Sequence, residues 1–163
     1  MLKQLRKRTE GFTIIEVMIV LAIAGLILLI VFLAVPALQR NSRNTQSKSD
    51  AAALLGAAQE WANNNNGATP AAANSGAISG LAKTKNITTL TIEVAAPTNT
   101  APTLNNAVLV TTAKCPGGGG TLAITMPGST VAGLNIGTST RQYVLVYGIE
   151  DKTGAVTAVC TES

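Results

Sequence analysis

The sequence predicts an α+β fold in which one long N-terminal helix packs on an antiparallel β-sheet. Three observations lead there. Val17 to Val35 is a run of nineteen residues without a charged or strongly polar side chain. Apolar residues then recur at Leu54, Leu55, Ala58, Trp61 and Ala62, one stripe of an amphipathic helix. Beyond residue 86 come short segments of β-formers with no long helical pattern between them, which implies an antiparallel sheet covered by that helix.

Composition narrows the function before any motif does. Of 163 residues, 47% are apolar and 12% charged, too apolar and too weakly charged for a disordered chain. Histidine is absent and cysteine occurs twice, which excludes imidazole-ligated metals, histidine-based triads and cysteine-rich zinc modules. No catalytic residue, metal site or cofactor is expected. The net charge of +4 is local: Lys3, Arg6, Lys7 and Arg8 lie in the first ten residues, and eight basic and seven acidic residues remain from Phe12 onward. Nucleic acid as a partner therefore has no support in charge, and two Tyr, two Phe and one Trp offer little stacking surface.

The first element is the helix from Phe12 to about Asn63. Its membrane-spanning part, 12–35, is interrupted only by Glu16. About 24 residues rise ~36 Å, enough for a bilayer core of ~30 Å. A cleaved secretory signal has a core of ~7–15 apolar residues and a small-residue cleavage site. Here the core is longer, and Ala34–Val35–Pro36–Ala37 carries a proline. The leader cations hold residues 1–11 in the cytoplasm and send the rest outward. An ordinary anchor explains the hydrophobicity but gives no reason for a costly acid at the start of the span.

Gly11–Phe12–Thr13–Ile14–Ile15–Glu16, between a basic leader and an apolar helix, resembles the type IV prepilin processing motif. The resemblance covers about the first 60 residues and implies a pilin-like fold. It implies that a prepilin peptidase and methyltransferase removes residues 1–11, cutting between Gly11 and Phe12, and methylates the new amine of Phe12. Glu16 would then set the axial register of assembly by pairing with such an amine, within a chain or between neighbours. Gly25 and Pro36 fit the helix-breaking positions of that family's extended helix; the other reading of Gly25 is close helix packing.

After Pro36 the chain turns polar, and residues 36–63 read as the amphipathic half of the helix, with Trp61 as a core anchor. Asn63 to Gly67 should end it. Residues 64–163 form the outer domain. Within them 67–82 reads as a loop with at most a short helical turn, the αβ-loop region in the resemblance. The strands are expected at Ile87–Val94, Ala107–Ala113, Thr121–Met126, Arg141–Ile149 and Ala155–Cys160. Tyr143, Leu145 and Tyr147 share a face, and Glu150 to Gly154 makes a five-residue hairpin loop.

Cys115 and Cys160 lie outside the cytoplasm by this topology, where a disulfide is the default; two free thiols or an intermolecular link are the alternatives. Gly117 to Gly120 is a turn, because no lysine follows as a phosphate loop requires. Asn86–Ile87–Thr88 matches the glycosylation pattern alone. Lys83, Lys85, Lys114 and Arg141 form a basic patch only if the fold gathers them.

The resemblance implies a structural subunit of a type IV pilus, active in adhesion, motility or DNA uptake. It would wait in the cytoplasmic membrane with its N-terminus inside, then enter an extracellular homopolymer through an assembly platform. The alternatives are a type II secretion pseudopilin, or a minor tip pilin that binds DNA or a surface. Sparse C-terminal acids (Glu150, Asp151, Glu162) argue against the calcium cluster of a pseudopilin.

Overall fold

The computed structural model describes residues 11–94, 103–115, 122–125 and 137–163. Helix α1 spans Ile14–Asn64; a 3-10 turn at Ala72–Asn74 leads into α2, Ser75–Ala82. Five strands follow: β1 Thr89–Val94, β2 Asn106–Lys114, β3 Leu122–Thr125, β4 Gly137–Glu150 and β5 Val156–Glu162. Contacts divide the chain into two compact units, Met1–Leu38 and Gln39–Ser163. The α+β expectation holds, and every expected strand is present with its ends moved by a few residues.

Two expectations are corrected. Neither Gly25 nor Pro36 breaks α1, which is helical through both. Proline removes one backbone bond, and α1 continues through that gap from the aliphatic turns before it into the polar turns after it. The sheet is mixed, not purely antiparallel. Its order is β1-β2-β4-β5-β3, and β1 runs parallel to β2, with Thr89 opposite Asn106 and Val94 opposite Thr111. The other neighbours pair antiparallel.

The region read as a loop also contains more helix than expected, in the two turns of α2. Ile78 is fully buried, the Asn74 Oδ1 accepts the Ala71 N–H at 2.9 Å, and Lys83 ends α2 in the left-handed conformation. Small residues conceal a helix whose formation depends on one buried isoleucine.

The stripe of α1 lies where the sequence places it. Leu54, Leu55, Ala58 and Ala62 pack in one core with Leu109, Tyr143, Leu145, Tyr147 and Val159, and Trp61 packs against it half-buried. The opposite face of the sheet is buried as well, through Val108, Val110, Val144, Val146, Ala158 and Cys160. Burial on both faces explains why β2 and β4 read as near-continuous apolar runs. Gly148 is required on that second face. A Cβ there would lie 2.6 Å from the Thr103 carbonyl oxygen and 2.8 Å from Val156 Cγ1.

Asp50 ties α1 to the segment entering β1. It is 3% exposed; its Oδ2 accepts the N–H groups of Lys85, Asn86 and Ile87 at 3.0, 2.6 and 3.1 Å, and its Oδ1 accepts Gln46 Nε2 at 2.8 Å. Burial pushes this carboxyl up, but the bonds from Gln46, Ile87, Asn86 and Lys85 outweigh it and hold its pKa below the ordinary value. Two turns earlier, Arg43 Nη2 meets Glu150 Oε2 at 2.6 Å. Asn44 donates to the Glu150 carbonyl at 2.7 Å and accepts its N–H at 2.9 Å, closing the end of β4.

The β4–β5 hairpin has its five-residue loop at 151–155. Asp151 Oδ1 accepts the N–H groups of Thr153 and Ala155 at 2.8 and 2.9 Å, and Gly154 takes φ 87°. Between the pairs Thr111–Tyr143 and Ala113–Thr138 the register slips, and Thr112 takes φ 63°, unusual for a β-branched residue and characteristic of a bulge.

Candidate processing and assembly segment

Gly11, Phe12 and Thr13 precede α1 without regular structure. Phe12 is 88% exposed, and a Cβ on Gly11 would meet nothing within 4 Å. The Gly11–Phe12 bond therefore lies in open, non-helical chain. The helix begins immediately beyond it because Thr13 and Glu16 cap it. Thr13 donates from N and Oγ1 to Glu16 Oε2 at 3.0 and 2.9 Å, and its Oγ1 accepts the Glu16 N–H at 3.3 Å. This is a reciprocal capping box, which satisfies donors that a helix start leaves unpaired.

Sequence reasoning missed this role, although Thr13–Ile14–Ile15–Glu16 before an apolar run is the signature. An acid at the start of the span now has a local reason to be there. The cap occupies only Oε2; Glu16 Oε1 has no partner among the described residues. Phe12, Glu16, Val17, Val20 and Leu21 line one concave side of the segment, so the Glu16 side chain and Phe12 lie on the same side.

From Phe12 to Leu38, nineteen large apolar side chains are 40–88% exposed, and α1 is long and apolar enough to cross a membrane. Even at ~1 kcal/mol for each half-exposed side chain, leaving them in water costs on the order of 20 kcal/mol. That exceeds the ~5–15 kcal/mol that holds a domain folded. The segment is therefore matched to lipid or to other apolar helices. At Gly25, where a Cβ would also meet nothing within 4 Å, the helix surface is open to such a neighbour.

Cys115 and Cys160 are joined as a disulfide, with Cα atoms 5.9 Å apart. The bridge links the chain just past β2 to β5, across the intervening β4. Of the four cations considered as a patch, Lys83 ends α2, Lys85 precedes β1 and Lys114 ends β2; the Arg141 side chain lies outside the described residues. In the Asn86–Ile87–Thr88 pattern, Asn86 Nδ2 donates to the Arg43 carbonyl at 3.1 Å. The run Gly117 to Gly120 lies outside the described residues.

Neither a curated protein nor a solved structure matches the chain. One family model does, the prokaryotic N-terminal methylation motif, over residues 6–32. The match spans the end of the basic leader, the Gly11–Phe12 junction, the capping box and the first part of α1. By that motif the chain carries the hallmark of type IV pilin and prepilin-like proteins.

Proposed function

We propose that this chain is a structural subunit of a type IV pilus. In this reading a prepilin peptidase and methyltransferase cuts between Gly11 and Phe12 and methylates the new amine. The mature chain waits in the cytoplasmic membrane on residues 12–35, N-terminus inside, and an assembly platform moves it into an extracellular helical homopolymer. The observation that carries the reading is an unpartnered apolar helix headed by an open cleavage junction. A pilin-like or pseudopilin-type subunit follows from the methylation motif itself; a filament on the cell surface is the finer claim.

The chemistry of assembly follows from α1. Withdrawal from the membrane exchanges lipid contacts for contacts with other copies of the same helix, at little net change in apolar exposure. Register then falls to the few polar groups in the segment. Cleavage creates an amine on Phe12 with a reference pKa of ~7.7–8. The capping box lies wholly on the mature side of the cut, so Glu16 keeps its cap and offers Oε1 to the Phe12 amine of a neighbour. A misregistered subunit leaves two charges unpaired in an apolar core, which is strongly unfavourable.

Mass spectrometry of cell-surface material released by shearing tests this. A peptide beginning at N-methylated Phe12 in that fraction is the expected result. The mature peptide in membranes alone would favour a pseudopilin or a minor pilin. An uncut leader overturns the processing step and everything built on it.

A further inference from the structure

Six of the eight cations beyond Leu38 are Arg40, Arg43, Lys48, Lys83, Lys85 and Lys152, from three separate stretches of chain. The fold brings those stretches to one end of the Gln39–Ser163 unit. Asn86, beside Lys85, donates from Nδ2 to the Arg43 carbonyl at 3.1 Å, and the Lys85 N–H reaches Asp50 Oδ2 at 3.0 Å. Glu150, two residues before Lys152, meets Arg43 at 2.6 Å and Asn44 at 2.7 and 2.9 Å. Arg40 and Lys48 lie about one turn to either side of Asn44 in α1.

The acids at this end do not neutralise it. Asp50 is buried under four N–H donors, Asp151 Oδ1 holds its own hairpin loop, and Glu150 is paired with Arg43. Six cations face three carboxylates, and Arg40, Lys48, Lys83, Lys85 and Lys152 make no ion pair among the described residues. Lys48 and Lys152 are exposed, and the other three are partly so. Cations that served solubility alone would be spread over the surface. Residues 51–82 instead contain a single charge, Glu60. Lys114 pairs with Gly137 at the start of β4, whereas Glu150 ends that strand, which puts Lys114 about 40 Å from the basic end along β4.

The chain itself says what this end meets. Arg40 comes two residues after Leu38, the last exposed large apolar side chain of the membrane segment, and α1 is continuous through both. With residues 12–35 in the bilayer, α1 enters the headgroup layer there, where long cationic side chains are well accommodated. Lipids of negative charge add an attraction for every Lys or Arg near their surface. We infer that the basic end of this unit docks on anionic phospholipid headgroups at the outer face of the membrane while the subunit waits for assembly. The inference rests on the membrane reading above, and it adds a contact that extraction into a filament has to break.

The test places the full chain in nanodiscs of phosphatidylcholine alone or with about 30% phosphatidylglycerol, and follows acetylation of each lysine by mass spectrometry. Lys85 and Lys152 are expected to react at least threefold more slowly in the anionic discs, with Lys114 unchanged. About 0.5 M NaCl should restore their rates, because salt screens the attraction. Each cation is worth about fivefold in docking, so Arg40→Gln with Lys48→Gln should weaken it about 25-fold and return Lys85 and Lys152 to their rates in phosphatidylcholine. Trp61 fluorescence monitors folding of the variant. Equal rates in the two lipids overturn the inference, and so does equal slowing at Lys114, which reports a general effect of the anionic surface. Slowing by a DNA duplex and not by lipid would make nucleic acid the partner and overturn it as well. A chain that enters neither disc overturns the membrane reading itself, a failure distinct from entry without protection.

Discussion

Replacing Asp50 with alanine removes the acceptor of three backbone N–H groups, those of Lys85, Asn86 and Ile87, at 2.6–3.1 Å. Each bond to a charged acceptor contributes ~1.5–3 kcal/mol, and a buried donor left unpaired costs ~1–3 kcal/mol. The Ile87 N–H is buried; those of Lys85 and Asn86 are partly so and recover some hydration. A net loss of about 3–5 kcal/mol follows, a large share of the ~5–15 kcal/mol available to a domain. At roughly 3 °C per kcal/mol, Tm should fall by about 10–15 °C. Asp50→Asn, which keeps one acceptor oxygen without the charge, should lose about 1–2 kcal/mol. The single tryptophan, Trp61, packs half-buried against the same core, so its fluorescence during unfolding of the full chain in detergent reads the loss directly. The pH dependence adds a second check. The folded-state pKa of Asp50 is depressed, so its contribution is complete above the ordinary aspartate value and is lost as pH falls through the lower folded value. The wild type should therefore lose stability more steeply below about pH 4 than Asp50→Asn does. An Asp50→Ala protein within about 0.5 kcal/mol of wild type would refute the assignment, because that is the range of an ordinary surface substitution.

The remaining predictions concern the sheet, the bridge and the helix start. Gly148→Ala forces a Cβ to within 2.6 Å of the Thr103 carbonyl oxygen and should cost about 1–3 kcal/mol, measurable as a drop in urea midpoint at unchanged slope. Cys115→Ser with Cys160→Ser opens a loop of 45 residues' separation and should cost about 3–4 kcal/mol in the chain-entropy account; a thermal melt with and without reductant should show wild type converging on the variant. Glu16→Val should leave cleavage and membrane insertion intact while reducing filaments on the cell surface; normal piliation counted by electron microscopy would sink the register mechanism.

Much of the fold was legible because it rests on periodicity. The stripe from Leu54 to Ala62 packs as its spacing predicts, and Tyr143, Leu145 and Tyr147 share the face that meets it. The methylation motif was legible because its residues stand in a fixed order before an apolar run. What was hidden depends on partners distant in sequence. Asp50 reads as one more polar residue after Pro36 until its carboxylate meets a segment 35 to 37 residues away. Gly148 looks like a lapse in a strand until the Thr103 carbonyl arrives beside it. The parallel pairing of β1 and β2 leaves no periodic signal in the sequence, and α2 is a helix of small residues fixed by Ile78. The start of β4 at Gly137 escapes notice because Gly137 to Thr140 lacks apolar alternation and takes its pairing from β2.

The capping box changes what a Glu16 substitution means. Before the structure, a carboxylate at the start of the span pointed to pairing with a Phe12 amine, within a chain or between neighbours. With Thr13 bonded to Oε2, the same side chain also defines where α1 begins, and valine removes both functions together. Glutamine separates them, since a capping box accepts Gln in place of Glu while a neutral carboxamide cannot balance an amine's charge. If pairing of Oε1 with a neighbour's Phe12 amine sets the register, Glu16→Gln should start its helix as wild type does and still assemble poorly. If capping is the whole role, Glu16→Gln should assemble like wild type and Glu16→Val alone should fail. The two variants side by side therefore assign the carboxylate to its own helix or to the next subunit, a distinction neither one makes separately.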